Sequence, residues 1–136
     1  MDQNWQYAKA ETKQILKIFK EFGIKKGKVL ELCCGNGRIC VHLAKKGFNV
    51  TRIDFSPDYI KDADAKAKEY KVKVHYVCDD IRRLNKIIEE KFDIILSIWT
   101  SIGFYTRKVD QKIIKMAANL LKKNGLFLIL RIMSQE

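Results

Sequence analysis

Strands and helices alternate along this sequence, and the strands read as continuous apolar runs rather than as every-second-residue patterns. The clearest is Leu126-Phe127-Leu128-Ile129-Leu130, and Val29-Leu30-Glu31-Leu32-Cys33 and Phe92-Asp93-Ile94-Ile95-Leu96-Ser97-Ile98 are similar. A strand that is apolar throughout is buried on both faces, which calls for a parallel sheet covered by helices on each side. Two further strands fit the series, over residues 49–53 and 72–78.

The helical segments between them carry their own punctuation. Residues 3–22 place Trp5, Ala8, Ile15, Leu16, Phe19 and Phe22 at helical spacing, and Gly23 supplies a stop. Gly35-Asn36-Gly37 opens a helix whose inner face is Ile39, Cys40, Leu43 and Ala44 and which ends at Gly47. Ser56-Pro57 pairs an N-cap with proline at the first helical position. Ile81, Leu84, Ile87 and Ile88 suggest a short helix, residues 109–121 a longer one, and Asn124-Gly125 a turn into the fifth strand. No repeat or linker interrupts the series. The expectation is one α/β domain over residues 1–136, with an N-terminal helix over 1–24 and a core over 25–136.

Composition narrows the class. With 47% hydrophobic residues, one proline and 7 glycines, the chain is neither disordered nor collagen-like. No apolar run approaches the roughly 20 residues that span a bilayer. Met1-Asp2-Gln3-Asn4-Trp5 lacks the basic start and apolar stretch of a signal peptide, so a cytoplasmic protein with no membrane partner is expected. Cys33, Cys34, Cys40 and Cys78 form no C-x-x-C pair and read as small buried thiols rather than metal ligands. His42 and His75 lie on elements away from the strand ends and receive no catalytic role. The 27 Lys and Arg against 16 Asp and Glu give 27 − 16 = +11. Dispersed lysine of this kind is an ordinary solvated surface or the electrostatic footprint of a nucleic-acid partner.

Polar residues gather where the strands end, and an open parallel sheet binds its ligands at that edge. Glycines at 35 and 37 allow close backbone approach and expose helix N-terminal amides to an anionic group. Asp54 follows Gly35 by 54 − 35 = 19 residues, the placement of an acid that accepts two ribose hydroxyls. Asp79 and Asp80 end the third strand, where a carboxylate can accept from an exocyclic amine. Taken singly, Glu31, Asp54 and Asp79 are also ordinary caps or solvated strand ends. Together they describe a pocket for an adenosine-containing cofactor.

A dinucleotide fingerprint needs G-x-G-x-x-G, and Cys40 stands where the third glycine belongs. The segment Val29-Leu30-Glu31-Leu32-Cys33-Cys34-Gly35-Asn36-Gly37-Arg38 instead resembles the first motif of class I S-adenosylmethionine-dependent methyltransferases. The resemblance continues through residues 50–56, 77–81, 92–97 and 120–126, covering roughly 25–132 in order. It implies a three-layer Rossmann-like sandwich with sheet order 3-2-1-4-5, and S-adenosyl-L-methionine as cofactor. Carried over by position, Glu31 orders the glycine turn and reaches the methionine amino group. Cys33 occupies the first glycine position, and Gly35 and Gly37 lie against the amino-acid moiety. Asp54 holds the ribose hydroxyls with Phe55 against the adenine face, Asp79 accepts from adenine N6, and the Asp80 amide serves the ring nitrogen. Ser97 lines the methionine end.

The implied activity is methyl transfer to an acceptor left open between a small molecule and a nucleic acid. Ser97-Ile98-Trp99-Thr100 replaces the N-P-P-Y or D-P-P-Y sequence of the subfamilies that methylate nucleobase amino groups. Trp99, Phe104 and Tyr105 read either as a substrate wall or as packing, and Trp5 and Tyr7 as a lid or as core contacts. Family members usually add two strands after the fifth; a chain stopping at Glu136 leaves an apolar edge that a fragment, a minimal protein or a homodimer would account for. A non-catalytic cofactor-binding partner subunit is the alternative function, with a dehydrogenase behind it.

Overall fold

A computed structural model describes residues 3–33, 39–99 and 106–131. Helix α1 (Gln3–Glu21) leads into strand β1 (Lys28–Cys33), followed by α2 (Ile39–Lys45), β2 (Asn49–Asp54), α3 (Pro57–Glu69) and β3 (His75–Cys78). A 3-10 turn (Ile81–Arg83) runs into α4 (Leu84–Ile87), and β4 (Phe92–Trp99), α5 (Arg107–Ala118) and β5 (Leu121–Arg131) complete the series. All four strand pairings are parallel, in the order β3-β2-β1-β4-β5. This is the order that the family resemblance implies.

Each strand sends alternate side chains to opposite faces, so the apolar runs build two cores. Val29, Val50, Ile94 and Leu96 join Ala8, Ile15 and Phe19 of α1, Ile39, Cys40 and Leu43 of α2, and Ala63 and Ala67 of α3. Leu30, Leu32, Ile53 and Ile95 face the other way, under Ile81, Leu84, Ile113 and Ala117. Phe19 meets Phe48 edge to face, with ring centroids 5.5 Å apart, which seats α1 against the turn after α2.

Local chemistry sets the boundaries. Ser56 caps α3 by accepting from the Tyr59 amide at 3.3 Å, as the Ser-Pro pair predicts. Thr106 caps α5 in the same way through the Val109 amide, so that helix begins ahead of the expected residue 109. Gly27 has φ of +139°, and a Cβ there would lie 2.6 Å from Asp93 Oδ2, the atom that accepts the Lys28 amide at 2.8 Å. That contact ties the first residue of β1 to β4. The Lys28 amide holds the Asp93 carboxyl below its ordinary value, with the Lys122 ammonium assisting.

Three expectations are corrected. The fifth strand starts at Leu121, because Asn124-Gly125 forms an irregularity within it instead of a turn before it. Between the pairs Phe92↔Leu121 and Ile94↔Leu126, β4 advances 94 − 92 = 2 residues and β5 126 − 121 = 5. Asn124 absorbs the excess at φ +67°, a conformation Asn tolerates. Phe22 is 63% exposed rather than part of the α1 stripe, because the helix has already ended at Glu21. Cys78, expected to be a buried thiol, is exposed because β3 is an edge strand, whereas Cys40 is buried.

Candidate functional site

Strand register assembles a charged row across the carboxyl half of the sheet. Glu31 of β1 pairs with Arg52 of β2, and Arg52 with Tyr76 of β3, so the three side chains share the face covered by α1–α3. Asp54 lies two residues beyond Arg52 on the same face, in register with Cys33 and Cys78. Glu31, Arg52 and Asp54 are all buried.

The guanidinium of Arg52 bridges the two carboxylates. Its Nη2 and Nε donate to Asp54 Oδ2 at 2.7 and 3.2 Å, and its Nη1 lies 3.7 Å from Glu31 Oε2. Nη1 also reaches the Cys40 sulfur at 3.6 Å. Asp54 Oδ1 accepts the Ser56 amide at 3.0 Å, which links the acid to the cap of α3. One cation thus faces two anions in a space closed to water. Burial pushes the Glu31 carboxyl above its ordinary value; the Arg52 cation opposes that shift, and the Asp54 anion adds to it. Burial, then the Glu31 charge, pushes the Cys40 thiol up to about 12, so it stands as a neutral packing group and not as a nucleophile.

No nitrogen or oxygen among the described residues donates a hydrogen bond to either Glu31 oxygen, and the Cys40 thiol beside them is a weak donor. A buried carboxylate in that state is costly unless a donor completes it. An ammonium group does so with charge and hydrogen bonds together, which fits the amino end of the cofactor that the motif implies. Asp54 fits the ribose. Oδ2 accepts twice from Arg52 and Oδ1 once from Ser56, and since a carboxylate offers about four lone-pair sites, Oδ1 keeps a site for a hydroxyl. Phe55 follows directly and is 71% exposed, a bare ring at the edge of the sheet.

The third strand brings its acids alongside. The Asp79 amide donates to the Asp54 carbonyl at 3.2 Å, holding the ends of β2 and β3 together. Asp79 Oδ1 accepts from the Asp80 amide at 2.7 Å and from Arg83 Nη1 at 3.4 Å. The Asp80 carboxylate caps the following turn through the Arg82 amide at 2.9 Å and holds the Arg82 guanidinium. The Asp80 amide is therefore engaged within its own turn.

The structure thus brings together Glu31, Asp54, Phe55, Asp79 and Asp80. It sets Ser97 apart: Ser97 pairs with Leu32, so its buried hydroxyl lies on the opposite face from Glu31. Cys33 ends β1 beside Asp54, while Gly35, Gly37, Phe104 and Tyr105, and the side chains of Cys33, Trp5 and Trp99, lie outside the described residues. Arg52 was missed as a site residue: period-two alternation puts it on the face of Asp54, but only the strand register sets it between two acids. Among the described residues no group of His, Cys, Asp and Glu is placed to hold a metal ion, and no helix is long and apolar enough to cross a membrane.

Residues 29–125 match the family model for a methyltransferase domain. Demethylmenaquinone methyltransferase of Leptospira interrogans is 36% identical over 106 residues, covering 74% of this chain and 41% of that protein. Ubiquinone biosynthesis O-methyltransferase of Rickettsia conorii is 33% identical, covering 78% of this chain and 35% of that protein. The crystal structure of an S-adenosylmethionine-dependent methyltransferase from Clostridium acetobutylicum superposes with a TM-score of 0.76 at 28% identity, covering 87% of this chain and 48% of that one. The chain spans less than half the length of these relatives. With the family model running from β1 into β5, over the buried row and the acids of β2 and β3, the chain belongs to the methyltransferase-domain family.

Proposed function

We propose that this chain binds S-adenosyl-L-methionine across the carboxyl ends of β1, β2 and β3 and transfers its methyl group to an acceptor. The observation that carries the reading is Glu31, a buried carboxylate with no nitrogen or oxygen donor among the described residues, held beside Asp54 by one guanidinium in a chain of this family. Glu31 takes the amino group, with the backbone of Cys33, Gly35 and Gly37 along the amino-acid moiety. Asp54 takes a ribose hydroxyl through Oδ1 and Phe55 the adenine face. Asp79 accepts from the exocyclic amine through Oδ2, which has no partner among the described residues. Ser97 is left out of this set because its hydroxyl faces the other core.

The bound sulfonium supplies an electrophilic methyl group, so the cofactor carries the reactive chemistry. The protein's part is to hold donor and acceptor about 3 to 3.5 Å apart and to exclude water. A base is needed only where the acceptor must lose its proton early.

Relatives named for demethylmenaquinone and for ubiquinone biosynthesis support a ring-bearing small acceptor; the charge of +11 supports a nucleic acid. The absence of a spanning helix among the described residues supports a cytoplasmic setting. Among the described residues β5 pairs only with β4, and its Ile129 is 48% exposed, which supports a homodimer that covers this edge. The test is calorimetric titration with S-adenosylhomocysteine beside NAD, followed by transfer of labelled methyl groups to small phenols and to RNA. Binding of S-adenosylhomocysteine alone, with transfer to one acceptor, supports the reading. Binding without transfer to any acceptor points to a non-catalytic subunit, and preference for NAD overturns the cofactor.

A further inference from the structure

We propose that the groove between α1 and α2 holds the phosphate backbone of a single-stranded nucleic acid, which makes the acceptor a nucleotide of that strand. The second half of this statement rests on the methyl-transfer reading; the first does not. The groove has a volume of about 500 Å³ and is lined by Lys9, Thr12, Lys13, Leu16, Lys17, Lys20, His42, Lys45 and Lys46. Six of these nine residues are lysines and none is acidic. No carboxylate among the described residues pairs with any of the six, although Lys45 lies over the Tyr70 ring at 4.3 Å. Elsewhere on the surface the chain does pair its lysines, as in Lys66–Glu69 and Lys68–Asp64. Other lysines also stand unpaired among the described residues, but the second pocket that gathers them, with Lys25, Lys26 and Lys123, includes the Asp93 carboxylate, whereas this groove sets six lysines together without an acid.

Spacing makes it linear. Lys9, Lys13 and Lys17 recur every four residues and Lys20 three later, so they form one row along α1. At 1.5 Å per residue, the 20 − 9 = 11 residues between the ends extend about 16 Å, with steps of about 6 Å. A row with that repeat meets successive phosphates of an extended strand, while Lys45 at the end of α2 and Lys46 just after it face the row. A groove of about 500 Å³ between two helices holds a nucleotide or two of a single strand and is too small to seat a duplex.

The row also has a direction. Helix α1 leads into the start of β1, and α2 returns from the carboxyl edge of the sheet to the start of β2. Lys20, Lys45 and Lys46 therefore lie toward the amino edge, and Lys9 toward the carboxyl edge where Glu31 and Asp54 stand. A strand in the groove runs toward that edge.

Other polyanions fit less well. Protein interfaces are depleted of lysine and centre on apolar or aromatic anchors, and Leu16 is the lone large apolar residue lining this groove. A lipid surface is flat, whereas these lysines line a concavity. Interfaces with nucleic acids are strongly cationic.

The test is fluorescence anisotropy with a fluorescein-labelled single-stranded oligoribonucleotide over a range of salt, with S-adenosylhomocysteine affinity measured in parallel by calorimetry. Wild type is expected to show a steep salt dependence, with a log–log slope no greater in magnitude than about 4 for six lysines. The triple variant Lys13→Gln, Lys17→Gln, Lys46→Gln should bind the oligonucleotide at least about tenfold more weakly and lower the slope by about 2. Its S-adenosylhomocysteine affinity should equal that of wild type, which also reports that it folds. A control with exposed lysines removed elsewhere, Lys61→Gln, Lys73→Gln, Lys112→Gln, should keep most of the oligonucleotide affinity. Equal loss in the control overturns the proposal, as does absence of oligonucleotide binding at low salt. Displacement of the oligonucleotide by polyglutamate or by phosphatidylglycerol vesicles at equal charge overturns it in favour of an acidic protein or a membrane. Oligonucleotide binding in a chain that does not bind S-adenosylhomocysteine supports the groove and overturns the cofactor site instead.

Discussion

Arg52 connects the stability of the sheet to its binding edge. A guanidinium shut between two carboxylates costs desolvation that its partners offset, and removing it leaves two buried anions without a counter-ion. Asp54 does double duty, gripping Arg52 through Oδ2 and the start of α3 through Oδ1. Asp54→Ala is expected to weaken S-adenosylhomocysteine binding by about 1–3 kcal/mol through loss of charge-assisted hydrogen bonds. Unchanged calorimetric affinity would refute the ribose assignment. Glu31 supplies the pH dependence. Its carboxyl is raised by burial, and only the ionised form accepts from an ammonium, so affinity should begin to fall at a pH above the ordinary carboxylate value of about 4.3. The sign follows: protonation on acidification removes the acceptor. Glu31→Gln should bind more weakly at neutral pH and lose that acid limb, and a wild-type affinity flat to pH 4 would count against the role. The placement of Glu31 and Asp54 in β1 and at the end of β2 was legible in the sequence because each sits at a fixed place in a strand–turn–helix pattern. Arg52 was not, because a single cation inside a strand carries no motif of its own and acquires meaning only from register with its neighbours.

At the scale of the elements, short-range chemistry decided what could be read. Ser56-Pro57 announces α3 and its cap forms as expected, because an N-cap needs only its own next three residues. Asn124-Gly125 announces a turn, yet it lies within β5. Long-range pairing of Leu121 with Phe92 extends the strand past it, and tertiary pairing outweighs local turn preference. Gly27 shows the same dependence on distant sequence. Nothing around it predicts that Asp93, 93 − 27 = 66 residues away, occupies the place of its missing side chain. Gly27→Ala combines a positive φ with a clash against the carboxylate that holds the Lys28 amide. It should destabilise the fold by more than about 1 kcal/mol, measured as a drop in the urea midpoint. A midpoint equal to wild type would mean that the β1–β4 tie carries no stability.

For the whole molecule, the order β3-β2-β1-β4-β5 was reached through the family pattern, since hydrophobic periodicity alone gives strands without neighbours. The groove proposed for a nucleic-acid strand was not legible for a related reason: charge counts give +11 without saying that six lysines converge on one groove. The two borders of the sheet differ in size. At one side stand the 4 residues of β3, at the other the 11 of β5. If β5 joins two copies, Ile129→Lys should shift the population to monomer in sedimentation velocity, and a monomeric wild type would dismiss the dimer. The short border has a consequence of its own. Four residues that end beside a polar turn offer almost no template for a further strand, so a chain joined at β5 has nothing to offer a third. In such a dimer the pairing closes at two around a rotation axis, and the unequal borders would stop this very basic chain from growing into fibres.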